Sequence, residues 1–257
     1  MYKLTLAYDG TRYGGWQIQK NALSIQALVQ DALTTILKTP TQATGAGRTD
    51  AGVHALGQVA HFVHAPAFDL RRLLVSLNGL LPPDVRALSV EQAPHNFHAR
   101  YSARAKTYHY RLHLDRVLDP FKRLYCAHIL HPVNVDLLEQ ASKLFLGTHD
   151  FTSFANEAHQ GCAARKPIKT IHRIDLISEP GGLRLEFEGD GFLYKMVRTL
   201  VGTLLEVSSG KRSLHEIPEI FAAKDRRRAG KTAPPQGLFL AKIDYDQFEG
   251  IAEKEGK

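Results

Sequence analysis

Cysteine is nearly absent. Cys126 and Cys162 are the only two in 257 residues, and they stand far apart with no Cys-x-x-Cys pair, which argues against a zinc ribbon or a dithiol redox motif. Both thiols are expected to be reduced and structural. A secretory signal and an apolar run long enough to span a bilayer are lacking too, so the chain reads as cytoplasmic with no membrane partner. No segment is too polar to fold and none is of low complexity. A chain that is 44% hydrophobic and 23% charged has the makeup of an ordinary globular protein, in one large domain or two small ones. Acidic residues are in deficit. The 26 Asp and Glu stand against 33 Lys and Arg, leaving a formal charge of +7 and a pI near 9.4, which favours a polyanionic partner. The 13 histidines show no His-Glu-x-x-His pattern, and neither His54 with His61 nor His128 with His131 makes a ligand set.

What is present is strongly patterned. Tyr2 to Tyr8 alternates as a half-buried strand and stops at the Asp9-Gly10 turn. Ile25, Leu28, Val29, Ala32, Leu33, Ile36 and Leu37 keep the three-and-four spacing of one helix face, with Ser24 placed as N-cap. Gln58 to Val63 reads as a second strand. Leu70, Leu73, Leu74 and Leu77 suggest a second helix, after which Asn78-Gly79 and Pro82-Pro83 break the chain. From Lys106 to Leu114, strict alternation puts Tyr108, Tyr110, Leu112 and Leu114 on one strand face and Thr107, His109, Arg111 and His113 on the other.

The turn-rich stretch 115–132 reads as a joint between two halves. Beyond it the pattern predicts a helix capped by Asn134 and running through Leu144, then a hairpin of 171–177 with 183–187 about Pro180-Gly181-Gly182. The longest helix follows, with an apolar stripe from Leu193 through Leu205. Ser213 and Glu216 resemble a capping box for a short further helix, and Leu238 to Tyr245 is a closing strand. Helices and hairpins mixed in each half predict an α+β fold of two similar lobes, 1–115 and 116–257, sharing a sheet.

The densest chemistry lies in Gly45-Ala-Gly-Arg-Thr-Asp-Ala-Gly-Val-His54. Glycine lets backbone crowd a ligand, and Arg48 and Asp50, two residues apart, can both be directed into one cleft. Alone, a Gly-Arg-x-Asp loop describes a turn with a local ion pair equally well. The whole string, however, resembles the active-site motif of the tRNA pseudouridine synthases of the TruA family. Further segments resemble the family in the family's order: Tyr8-Asp-Gly-Thr, Gly15-Trp-Gln-x-Gln19, Asn78-x-x-Leu-Pro82, Phe97-His-Ala-Arg100, Lys106-x-Tyr-x-Tyr110, Gly147-x-His-Asp-Phe151, Met196-Val-Arg198 and Thr232-Ala-Pro-x-x-Gly-Leu238. They span nearly the whole chain.

The resemblance implies a homodimeric isomerase that turns uridine into pseudouridine at positions 38, 39 and 40 of tRNA, in the anticodon stem-loop, with no metal or organic cofactor. It implies two lobes related by a pseudo-two-fold axis, a shared mixed and mainly antiparallel sheet with helices packed on it, and a catalytic cleft between the lobes. Asp50 would be the carboxylate that handles ribose C1′ while its bond to uracil N1 breaks and one to C5 forms. It would act either as a nucleophile or as a base on the sugar through a glycal-like intermediate.

By the same resemblance Tyr108 stacks on the target base, where alternation alone makes it a core tyrosine. Arg198, off the apolar stripe of its helix, pairs with Asp50. Arg48 contacts the nucleotide or its phosphate, against the rival of a simple ion pair. Arg100, Arg104, Lys106, Arg111, Arg165, Lys166 and Lys169 are candidates for lining an electropositive cleft. Arg226-Arg227-Arg228 reads as a solvated helix end, and His54 as structural. Two rival classes remain: a non-catalytic RNA-binding α+β module, and a sugar hydrolase with paired carboxylates, which would need a second acid near Asp50.

Overall fold

Alternation in the first seven residues makes the strand from which the architecture grows. In a computed structural model, which describes residues 1–65, 67–156 and 166–246, β1 (Tyr2–Tyr8) buries Tyr2, Leu4, Leu6 and Tyr8 on one face. It pairs antiparallel with β3 (His54–Phe62) on one side and with β4 (Val85–Gln92) on the other. The short β2 (Thr44–Gly45) also joins β3. Between them α1 (Ile25–Leu37) begins where Ser24 accepts from the Ala27 N–H, as its sequence predicts, and buries Ile25, Val29, Ala32 and Leu33.

The second helix, α2 (Leu70–Leu80), is capped by Asp69 and runs through Asn78-Gly79 instead of breaking there. The reason is tertiary. The Asn78 amide donates to Ala87 O at 2.9 Å and accepts from Ala87 N at 3.0 Å, docking the helix on β4. β4 itself carries no clear alternation, and the sequence does not announce it.

The sheet continues into the second half. β5 (Ala103–His113) pairs antiparallel with β9 (Gly182–Gly189), β9 with β8 (Ile168–Glu179), and β8 with β7 (Gly147–Asp150), while β6 (Ala127–His128) adds a short parallel pair to β5. The closing strand, β10 (Leu238–Tyr245), inserts between β3, to which it is parallel, and β5, to which it is antiparallel. The order is therefore β4-β1-β3-β10-β5-β9-β8-β7 in a sheet of ten strands among the described residues, mixed and mainly antiparallel. The fold is α+β, with α2 packed on β4, α1 on α2, and α3 (Val135–Lys143) on β8 and α4 (Met196–Ser208).

Asn134 caps α3 (Val135–Lys143) through the Leu137 N–H. The helix α4 (Met196–Ser208) starts after Leu193 and has 13 residues, the same as α1, so it is not the longest. It is buried on nearly every face, as a helix enclosed in a core must be. Gly202 allows this, because a Cβ there would stand 1.6 Å from Lys231 O, where the segment before β10 crosses the helix.

The α5 helix (Glu216–Ala223) makes only half of the expected capping box: Glu216 Oε1 accepts from Ser213 N at 2.7 Å, but His215 holds the cap position. Arg227 and Arg228 are exposed. Arg226 departs from the solvated reading, since it is half-buried and donates to Asn156 Oδ1 at 3.1 Å and Thr232 Oγ1 at 2.8 Å. Cys126 is a buried free thiol bonded to Lys122 O, whereas Cys162 and Arg165 lie outside the described residues.

Candidate active site

The glycine-rich loop between β2 and β3 is held at every turn. Ala46 N donates to Val59 O at 2.7 Å, and Gln58, fully buried on β3, donates to Gly47 O at 2.9 Å. The Tyr8 hydroxyl at the end of β1 bonds Thr49 Oγ1 at 2.9 Å. Burial pushes Tyr8 up to about 12, so it stays a neutral phenol in that network. From the other side Gly15, at φ +93°, lets the chain come close: a Cβ there would lie 2.2 Å from Thr49 O. Trp16 N donates to the same carbonyl at 3.2 Å. The Gly15-Trp16 segment thus braces the loop.

His54 closes the loop as a structural residue. Its Nδ1 accepts from Gly10 N at 3.0 Å, its Nε2 donates to Leu124 O at 2.9 Å, and its ring stacks on Phe239 with centroids 4.6 Å apart. Burial depresses its pKa against the opposing pull of Asp9, whose carboxylate is 3.1 Å from Nδ1, and the two bonds fit the neutral ring protonated at Nε2.

Held in this way, Asp50 meets a partner from the far half of the chain. Arg198 Nη1 donates to Asp50 Oδ2 at 2.7 Å, and Arg198 Nε donates to Ala233 O at 2.8 Å. The guanidinium is therefore clamped between the Asp50 loop and the segment preceding β10. With the two side chains only 11% and 17% exposed, this charge-assisted bond has little competition from water.

Tyr108 lies beside them on β5, buried and edge-on to Phe192 at 5.1 Å. Its hydroxyl has no hydrogen-bond partner among the described residues. Burial, then the nearby Tyr8 and Asp50, raise its pKa, so it too is a neutral phenol. Arg48 is exposed and pairs with no carboxylate among the described residues, so the local ion pair is not formed.

Arg48, Asp50, Tyr108, Lys195, Met196 and Leu238 line one recess open to solvent, about 310 Å³ in volume. Three of the four site residues expected from sequence line it, and the fourth, Arg198, is bonded to Asp50 Oδ2. Lys195 is the residue that sequence reasoning missed. It sits at the N-cap of α4 with φ +59°, a left-handed conformation unusual outside glycine, and its ammonium lies 5.0 Å from the Tyr194 ring centre. Only its place three residues before Arg198 could have drawn attention to it. Of the expected cleft cations, Arg104 pairs with Asp246 and Arg111 with Glu179, whereas Lys106 donates to Ala46 O of the loop.

Among the described residues, Asp50 is the one acid lining the recess, so paired-carboxylate chemistry has no second group there. No set of three or more His, Cys, Asp or Glu is placed to hold a metal among the described residues, and no helix described is long and apolar enough to cross a membrane.

A family model described as tRNA pseudouridine synthase matches residues 5–102 and 141–246 of this chain. The chain belongs to the tRNA pseudouridine synthase family. Relatives within it align almost end to end. The tRNA pseudouridine synthase A 1 of Protochlamydia amoebophila (strain UWE25) is 59% identical over 253 residues, which is 98% of this chain and 99% of that protein. The tRNA pseudouridine synthases A of Lacticaseibacillus casei (strain BL23) and Geobacillus sp. (strain WCH70) are each 43% identical, over 95% of this chain and 99% and 98% of theirs. A chain from a Cbf5-Nop10-Gar1 complex overlaps 79% of this one and 54% of its own length at 12% identity and a TM-score of 0.34, too slight a likeness to build on. Arg48 and Asp50 fall in the first span matched by the synthase family, Lys195 and Arg198 in the second, and Tyr108 between the two.

Proposed function

We propose that this chain isomerises uridine to pseudouridine in the anticodon stem-loop of tRNA, at positions 38, 39 and 40, with the Asp50 carboxylate acting at the ribose of the target nucleotide. The observation that carries this reading is the Arg198–Asp50 bond in a recess walled by Tyr108. A single carboxylate is oriented there, and beside it is an aromatic wall for a base.

The reaction breaks the bond from C1′ to N1, turns the base, and joins C1′ to C5, with the C5 proton finally lost and N1 protonated. Asp50 supplies either a nucleophile for C1′ or a base for a sugar proton. Arg198 holds Asp50 Oδ2, which leaves Oδ1 for that chemistry. Tyr108 offers a face and an edge to the uracil, and Arg48 and Lys195 at the rim suit the phosphates of a flipped nucleotide.

A span of three target positions calls for recognition by shape, which phosphate contacts and a basic surface provide. The same reading includes a homodimer, in which one subunit holds the arm being modified and its partner supports the rest of the tRNA. It also places the enzyme in the cytoplasm with its substrate, and divides the chain into lobes 1–115 and 116–257. The test is incubation with unmodified tRNA transcripts and mapping of pseudouridine at each position. Modification confined to 38, 39 and 40 is expected, and none there, or modification elsewhere in the tRNA, overturns the reading.

A further inference from the structure

Lys106 and Tyr108 stand two apart on β5, so they share a strand face, and both reach Gly47 in the loop that carries Asp50. A Cβ at Gly47 would lie 3.5 Å from Lys106 Nζ and 3.9 Å from Tyr108 Oη, with nothing else within 4 Å. Lys106 Nζ donates to Ala46 O at 2.7 Å. An ammonium has three N–H donors, and among the described residues the other two have neither a hydrogen-bond acceptor nor a carboxylate.

Burial, and after it the charges of Arg100, on the loop between β4 and β5, and of Lys169, on β8, push Lys106 down to about 8. Neither has a carboxylate partner among the described residues. Arg100 is exposed and lies 5.7 Å from the ring of Tyr101, itself 72% exposed. An ammonium largely out of water, acted on by two further cations and with no carboxylate partner among the described residues, is a costly arrangement that an anion would relieve. Among the described residues, Lys106 is the cation that donates to the backbone of the Asp50 loop.

We propose that Lys106, Arg100 and Lys169 form a binding site for one backbone phosphate of the RNA adjoining the target nucleotide, with a non-bridging oxygen held against the Lys106 ammonium on the Gly47 side of the loop. The proposal rests on the function put forward above and names a contact within it. Through the bond to Ala46 O, four residues before Asp50, the phosphate is fixed relative to the carboxylate. Lys106 is thus a positioning residue for the sugar, and the contact carries no base information. Phosphate binding keeps the amine protonated. Below about pH 8 it already carries its proton, whereas above that tRNA binding must take one up, and affinity falls with rising pH.

The experiment pairs Lys106→Met with anticodon stem-loop RNAs carrying a single neutral methylphosphonate at each linkage flanking the target uridine. Lys106→Arg serves as the variant that retains the charge, and circular dichroism checks the fold of both. One methylphosphonate is expected to weaken binding to the unsubstituted protein about tenfold and to have no effect on Lys106→Met. Lys106→Met should also lower the slope of log affinity against log salt by about one and remove the fall in affinity above pH 8, while Lys106→Arg keeps the slope. If every methylphosphonate weakens Lys106→Met and the unsubstituted protein alike, or if the variant keeps the salt slope, the site is wrong. Coupling at one phosphate without pseudouridine formation would instead overturn the function and leave the phosphate site standing.

Discussion

Arg198 and Asp50 are 148 residues apart in sequence and 2.7 Å apart in space. Their bond is the point at which the two halves of the chain make one site. The arginine is held as firmly as the aspartate, because its Nε is bonded to Ala233 O and Ala233 N donates in turn to Arg198 O at 3.0 Å. A carboxylate held on one oxygen by a clamped guanidinium leaves the other free for chemistry.

Asp50→Asn is expected to fold and to bind tRNA while forming no pseudouridine. The amide keeps the shape of the side chain, and the loop is held by Tyr8, Gln58 and Trp16, whose bonds do not involve this carboxylate. What is lost is negative charge, nucleophilicity and basicity. Tritium release from uridine labelled at C5 measures the chemistry and filter binding the affinity. Near-normal release would remove Asp50 from the reaction.

Replacing Arg198 by Lys separates charge from geometry. A lysine ammonium is a single nitrogen on an unbranched chain and cannot reach Asp50 Oδ2 and Ala233 O in the same manner, so one acceptor loses its donor. Stability should fall by about 1 to 3 kcal/mol, and kcat should fall further than tRNA affinity. Thermal unfolding and single-turnover rates read the two effects. Unchanged turnover in the folded variant would show that the orientation of Asp50 does not matter.

At Tyr108, Phe should serve better than Leu. The hydroxyl has no partner among the described residues, so Tyr108→Phe breaks no hydrogen bond there, while Tyr108→Leu loses the ring set edge-on to Phe192. A stacked base is worth about 1 to 3 kcal/mol, and that is the expected loss of binding for Leu but not for Phe. Equal losses in the two folded variants would contradict stacking. A fall in turnover alone for Phe would point to the hydroxyl in proton transfer.

His54 makes the stability of the loop dependent on pH. Its pKa in the folded protein is depressed below the ordinary value of about 6.5, so its contribution is complete above that value and is lost as the pH falls towards the folded pKa, because the unfolded chain takes up the proton first. His54→Gln should therefore unfold at a lower temperature than the unsubstituted protein at pH 7.5, with the difference narrowing by pH 5.5. A difference that grows on acidification would mean that the Asp9 ion pair, and not the neutral ring, dominates.

Much of this protein was legible in the amino-acid sequence because the relevant signals are local. The Ser24 cap, the stripe of α1, the hairpin at Pro180-Gly181-Gly182 and the closing strand 238–245 each depend on a few consecutive residues, and each formed where periodicity and turn chemistry placed it. The glycine-rich loop with Arg48 and Asp50 was likewise readable as a string. What only the tertiary structure decided depends on residues that are neighbours in space alone. The insertion of β10 between β3 and β5 brings Ala233 to Arg198 and Arg198 to Asp50. Asn78 stays helical because β4 satisfies its amide, and Arg226 leaves solvent because Asn156 and Thr232 accept from it. Lys106 alternates on its strand like any other residue. Its distinctive surroundings arise from tertiary packing, and the desolvation and the repulsion from Arg100 and Lys169 that act on it belong to that packing and not to its place in the chain.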